Sequence, residues 1–542
     1  MFRASVARSR RRCKREGHPF AAPGAERYVP MVSLEYATQA VLDADGATLH
    51  AEGHFMRFAP RLFPPLRRLS GIALFALLAV APGCSPRADD GRVHIVYWEK
   101  WSGAEAEAMQ RTVDAFNRSQ DRIFVEFLSI GGGIDRKVLL ATAGGDPPDV
   151  AGVWPQQLAS WADLNALTPL DTFIQQDGGT TEQFLARYEA AYADMTQYRG
   201  HVYALYATPA SHALHWNKSL FREAGLDPER PPRTIDELME YSRRLTRRDP
   251  DTGALEQVGF LPEDPGWWPW SFPNYFGGDL VRDGEIVYDK LPENVRSMEW
   301  VRSYTEEYGL ADLRRFATGF GQFGSPQYPF FAGKVAMCFQ GVWLNNYMRQ
   351  YAPSLDYGVA GWPATRPGDP PFTNVEGDML VIPRGAKHPR EAWEFLKYVN
   401  SCNPRATRFE ELSGIELTCF LQEKNSPLRV WSPYFTEHHP HPYITVFREL
   451  ARSPRAYHVP YVGIWSEYMR EINAAFDRVR FLRATPEEAL RGVQQRIEPA
   501  WAEHRRRIER RQRRRPRARA AERPSRPARV MARMIRGLFP WD

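Results

Sequence analysis

Aromatic rings and carboxylates outside any periodic core pattern are the residues here best suited to chemistry. Sixteen tryptophans occur in 542 residues, many of them in stretches that read as loops. Glu99 and Trp101 follow a first predicted strand, and Trp154 and Gln156 follow a third. Thr208, Ser211 and His212 lie in an extended segment interrupted by Pro209. Trp267, Trp268 and Trp270 share an irregular aromatic stretch. Trp343 closes a segment containing Gly341, and Trp362, Glu376 and Asp378 come later in the chain. A flat ring packs on the apolar C–H face of a sugar, whose hydroxyls need fixed donors and acceptors. These residue types therefore favour reversible recognition of a polyhydroxylated ligand.

Other features have plainer readings. Trp216, Trp300, Trp393 and Trp465 sit where a helix or its entry would bury them. Asp149 suits a loop or a helix start better than a ligand. The turn Gly131–Gly133 lacks the Lys-Ser/Thr that completes a phosphate loop. His438, His439 and His441 are interrupted by Pro440 and Pro442, with no Cys or acidic ligands spaced around them, and read as a solvated loop. Glu376 and Asp378 share one strand face, but that spacing does not define the carboxylate separation of a glycoside hydrolase, and no second motif supports catalysis. No metal, cofactor or catalytic residue is expected. Cys402 and Cys419 read as separate thiols or as a disulfide of an oxidising compartment.

The elements that must position these residues alternate strand and helix. Val93–Trp98, Ile123–Leu128 and Asp149–Val153 read as strands, with Ala104–Ser119 and Ile134–Thr142 as the helices between them. Tyr203–Leu214 is extended. Thr234-Ile-Asp-Glu237 fits a capping box opening the helix Ile235–Arg244. Pro292–Tyr308 and Pro389–Val399 are helical, and Val335–Phe339, Tyr357–Gly361 and Met379–Pro383 are strands. This alternation predicts an α/β protein built on a parallel sheet.

The net charge of +6 conceals an acidic body. Residues 85–504 carry 44 basic and 56 acidic side chains, while 505–542 carry 15 Arg and 3 acids. The body is therefore no nucleic-acid surface. Residues 505–542 also contain Pro516, Pro524 and Pro527 and are expected to be a disordered tail. Near the other end, Arg57, Arg61, Arg67 and Arg68 precede the short apolar run 71–81, and small residues lead to Cys84. That order is a secretory signal. Met56 gives it ordinary length, so 56–84 is read as the signal and 1–55 as an over-extended or disordered leader. Pro82-Gly83-Cys84 resembles a lipobox, which implies lipid attachment at Cys84.

From residue 92 to about 500 the chain resembles the extracellular solute-binding proteins of ABC importers, the family that includes the maltose-binding protein. The segments that carry the likeness are Ala143-Gly-Gly-Asp-Pro-Pro-Asp-Val150, Leu164-Asn-Ala-Leu-Thr-Pro-Leu-Asp171, Tyr203-Ala-Leu-Tyr206, His215-Trp-Asn-Lys-Ser-Leu-Phe221 and Ala224-Gly-Leu-Asp-Pro228. They continue with Phe331-Ala-Gly-Lys-Val-Ala-Met337, Gly361-Trp-Pro363 and Glu376-Gly-Asp378. The resemblance implies a two-lobed periplasmic-binding-protein fold of type II, with discontinuous lobes joined by hinge crossings. Lobe one would take 92–206 and 357–402, and lobe two 207–356 and 403–504. The loops holding Glu99, Trp101, Trp154, Gln156, Thr208, Ser211, His212, Trp267, Trp268, Trp343, Trp362, Glu376 and Asp378 would then converge on one cleft.

The same resemblance implies capture of a sugar or oligosaccharide outside the cytoplasm, in a periplasm or at a cell surface. The protein would be monomeric, held to the membrane by lipid at Cys84, and would deliver its ligand to a membrane permease without chemical turnover. Alternatives of the same fold are binding of a polyol phosphate, polyamine or peptide, or a sensor role. A glycoside hydrolase is the remote alternative.

Overall fold

A strand of fourteen residues, Ala204–Asn217, is the axis of the molecule, and every one of its residues is buried. Alanines at 204, 207, 210 and 213 keep it slim, and the absence of polar alternation is what a strand covered on both faces requires. The computed structural model describes residues 90–521, with side chains to residue 511.

Across the main sheet the order is Ile123–Ser129, Val93–Glu99, Val150–Val153, Thr373–Val381, the long strand, Val335–Gly341 and Leu255–Phe260. The first three are mutually parallel. Their connections are the amphipathic helices Gly103–Ser119 and Ile134–Gly144, which supply the crossovers that parallel strands need. Thr373–Val381 is antiparallel to both of its neighbours.

Along the long strand the pairing partner changes. Residues 204–211 pair with Thr373–Val381, whereas residues 212–216 pair with Val335–Gly341. The core changes at the same place: Ala204 to Ala213 belong to one hydrophobic cluster, and Leu214 and Trp216 to a second. Tyr357–Ala360 pairs with the far end of the long strand, and Thr373–Val381 runs back along its start. The chain thus crosses between the two cores in both directions. Register shifts between Asp378 and Met379, where Thr208 pairs with Asp378 and Tyr206 with Met379. Such a bulge leaves one residue unopposed and re-aims its neighbours.

Several elements differ from expectation. The segment 403–504 divides between the cores. Ile415, Cys419, Trp431, Phe435 and Phe447 belong to the first, because the helix Gly414–Leu421 lies against Gly103–Ser119, with the Thr112 and Thr418 hydroxyls 2.8 Å apart. Trp465, Ile472, Val493 and Trp501 belong to the second. Trp362 and Phe372 also enter the second core. The C-terminal helix Pro486–Ala521 runs through the start of the expected disordered tail. Arginine is a good helix former, Glu503 receives Arg506, Arg507 and Arg510, and Arg505 pairs with Glu285.

Thr234 caps its helix by accepting from the Glu237 N–H at 3.2 Å, but the Glu237 carboxylate takes the Arg233 N–H instead of closing the box. His441 is buried against Phe447 and half-buried His439 against Phe435, so only His438 of that group is solvated as expected. Asp149 holds the Val96 and His388 N–H groups, the structural role expected of it. Cys338, Cys402 and Cys419 are free thiols. No helix among the described residues is long and apolar enough to cross a membrane. Cys84 and the leader lie outside the described residues.

Candidate functional site

Parallel strands end on one side of a sheet, and the loops leaving those ends form the crevice where α/β proteins bind ligands. Here Val93–Glu99 leads into Lys100 and Trp101, and Val150–Val153 leads into Trp154. The return strand brings Glu376 and Asp378 past Thr208 and His212 of the long strand. A polar turn, Gln422–Asn425, enters from the C-terminal region and is buried throughout.

These elements assemble a relay of charge. Lys100 Nζ lies 3.0 Å from Glu99 Oε1 and 2.8 Å from Asp378 Oδ1. Lys424 Nζ lies 3.5 Å from Asp378 Oδ2 and 3.0 Å from Glu105 Oε1, and donates to Thr208 Oγ1 at 3.2 Å. Both ammonium groups sit 5.2 Å from the centre of the Trp101 ring, and Lys100 is equally far from that of Trp154. Burial alone would raise the Asp378 pKa, but Lys100 and Lys424 outweigh it and hold the carboxyl below its ordinary value. Burial likewise works to lower both lysines, and the carboxylates around them overcome it and raise them. Glu99 is further fixed by the Tyr97 hydroxyl at 2.5 Å. Gly152 makes room for it, since a Cβ there would overlap the Glu99 carboxylate.

A second group adjoins this one. His212 Nδ1 lies 2.8 Å from the Asn374 carbonyl oxygen, and Nε2 lies 3.6 Å from Glu376 Oε1. Trp268 Nε1 donates to Glu376 Oε2 at 3.3 Å. The rings of Trp268 and Trp343 stand edge-on to the imidazole at 4.3 and 5.2 Å. Burial lowers the His212 pKa to about 4, so the ring is neutral at pH 7. Burial, then the Asp378 carboxylate, push Glu376 up to about 7. Trp267 extends the aromatic group outward, 5.4 Å from Trp268 and 4.9 Å from Phe323. No group of His, Cys, Asp and Glu among the described residues is placed to hold a metal ion.

Residues 100–401 match the sequence pattern described as bacterial extracellular solute-binding protein. The chain belongs to that family. The solved structure of CpMnBP1 with mannotriose bound is 30% identical, with a TM-score of 0.62, and the match covers 74% of this chain and 99% of that one. The sugar-binding protein MalE of Xanthomonas citri shares the fold at 19% identity and TM-score 0.60, over 77% and 99% of the two chains. Among sequence relatives, the multiple sugar-binding protein of Streptococcus mutans is 21% identical over 389 residues, 68% of this chain and 86% of its own. The fold is therefore the two-lobed α/β type II fold of periplasmic binding proteins.

Within this solute-binding protein the expected site residues part into groups. Glu99, Thr208, His212, Trp268, Trp343, Glu376 and Asp378 meet in the clusters described above. Trp154 and Trp267 border them with substantial exposure, 38% and 41%. Gln156 is half-buried in the short turn Pro155–Gln157, two residues beyond Trp154. Trp101 joins the charge cluster but is 6% exposed, covered by two lysines where a stacking ligand was expected.

Two expectations need correction. Ser211 is fully buried and spends its hydroxyl on the Phe447 carbonyl at 3.0 Å, tying down the helix Ile444–Ala451. Trp362 lies in the second core between Tyr275, Phe339, Phe260 and Trp300, with no ring face left for a ligand.

Lys100, Glu105 and Lys424 escaped the reading by residue type. Lys100 stands between two residues that were chosen, which is a usable signal. Lys424 gives only the hint of a polar run inside an apolar stretch, and its partner Glu105 looks like an ordinary first-turn helix residue.

Proposed function

We propose that this protein captures a sugar or short oligosaccharide between its two lobes and hands it to the membrane permease of an ABC importer, with no chemical change. The observation that carries this reading is the placement of two exposed rings, Trp154 and Trp267, beside a rigid set of carboxylates and ammonium groups. Rings take the apolar face of a sugar while the prearranged polar groups take its hydroxyls. Family membership supports it, as do relatives solved with mannotriose or named for sugar binding.

The two hydrophobic cores are the two lobes in this reading, and the crossings at residues 204–217 and 373–381 are the hinge. Ligand that touches both lobes favours the closed form by differential contact. The buried turn Gln422–Asn425 fits such a hinge. It reaches Glu105 and Tyr192 on one side, and Asn345 and Arg349 of the helix Leu344–Tyr351 on the other. Lipid at Cys84 would hold the monomeric protein near its permease, outside the cytoplasm.

Thermal unfolding of the full chain with mono- and oligosaccharides tests the reading, because a bound ligand raises the midpoint by mass action. A shift with one sugar class and no product after long incubation is expected. Release of a shorter sugar would instead establish a hydrolase.

A further inference from the structure

Once Glu376 is ionised, the His212–Glu376 pair lacks a hydrogen. A carbonyl oxygen only accepts, so the contact with Asn374 places the imidazole hydrogen on Nδ1. In the neutral ring Nε2 is then an acceptor. It is buried, has no hydrogen-bond partner, and faces Glu376 Oε1 at 3.6 Å. With Glu376 ionised two acceptors therefore confront each other, and 31% of the Glu376 side chain is exposed.

Charge makes the same point. Glu99, Glu105 and Asp378 each lie within ion-pair distance of Lys100 or Lys424. Among the described residues the ion-pair contact of Glu376 is with His212, which is neutral. Its remaining neighbours are the Trp268 N–H, the Asp378 carboxylate and, more distantly, the Lys424 ammonium. A partly buried carboxylate without a cation, beside an unpaired imidazole nitrogen, is costly, so Glu376 holds its proton up to about pH 7 until something supplies both hydrogen and charge.

We propose that His212 and Glu376 form a subsite for the protonated amino group of an aminated sugar. One N–H meets Nε2 and a second meets the Glu376 carboxylate, which takes the positive charge. A neutral hydroxyl has one hydrogen to donate. It satisfies one acceptor and leaves the carboxylate uncompensated. The inference rests on the cleft being a sugar site and adds the class of sugar.

Calorimetry at pH 7 on the full chain with matched probes tests it: glucosamine against glucose, mannosamine against mannose, and the β-1,4 disaccharide of glucosamine against that of glucose. At least one aminated probe is expected to bind about tenfold or more tighter than its neutral partner, the scale of a charge-assisted hydrogen bond. Glu376→Gln is expected to erase that preference, so that each aminated probe binds no tighter than its neutral partner. Neutral sugars binding as well as or better than every aminated one would overturn the inference and leave the sugar cleft standing. Failure of all probes would overturn both. The comparison within the wild-type protein stands even if the variant does not fold.

Discussion

Lys100 Nζ and Asp378 Oδ1 stand 2.8 Å apart although 278 positions separate them in the chain. Lys100 leaves the end of the first strand, and Asp378 sits at the bulge of the return strand. The contact joins the end of the first strand to the return strand, and the Lys100 side chain is only 4% exposed.

Lys100→Met is expected to destabilise the protein by about 3–5 kcal/mol, because it strands the buried Glu99 carboxylate without its cation and leaves Asp378 only the more distant Lys424. Denaturant unfolding of wild type and variant measures it. A change under about 1 kcal/mol would show that water reaches these carboxylates.

Trp154→Ala and Trp267→Ala should each weaken sugar binding about tenfold while shifting stability by no more than about 0.5 kcal/mol, since both rings are substantially exposed. Calorimetry and melting on the same preparations separate the two effects. Unaltered affinity in both variants removes these rings from the site.

Trp362→Ala carries the opposite expectation. Its indole fills the second core, and truncation should cost about 3–5 kcal/mol. Ligand affinity of the folded protein, titrated well below the melting midpoint, should stay near the wild-type value.

Buried His215 predicts a change in pH slope. Burial pushes its pKa down to about 3, against about 6.5 when unfolded. The unfolded chain therefore binds one more proton between those values, and this group's stability is present above pH 6.5 and lost as pH falls. His215→Phe should remove about 1.4 kcal/mol per pH unit from the slope of unfolding free energy near pH 5. Glu376→Gln should act with the opposite sign. The folded carboxyl keeps its proton up to about pH 7, so its contribution declines as pH rises through that value. Urea unfolding at pH 5, 6 and 7 reads both slopes.

Much of the architecture was legible from local pattern. The predicted helices Pro292–Tyr308 and Pro389–Val399 match the observed ones end to end, because proline at the first turn and a clear apolar face are properties of a few adjacent residues. The strand Thr373–Val381 begins six residues before the expected Met379. Its first half is held by cross-strand pairing to the long strand and not by its own polar composition, Thr-Asn-Val-Glu-Gly-Asp.

Residue type supplied candidate binding groups but did not tell a platform from a core ring. Trp154 and Trp362 both follow strands, yet one is exposed and the other buried, because burial is decided by what the rest of the chain places on each ring. The sequence by itself determined the alternating α/β frame and the supply of rings and carboxylates, both of which follow from neighbouring residues. Tertiary structure alone decided that Lys424 meets Asp378 and Glu105, that two lysines cover Trp101, and that His212 faces Glu376. Apart from Lys100 beside its neighbour Trp101, those relations join residues tens to hundreds of positions apart, where only packing brings charges together and only burial makes an unpaired one matter.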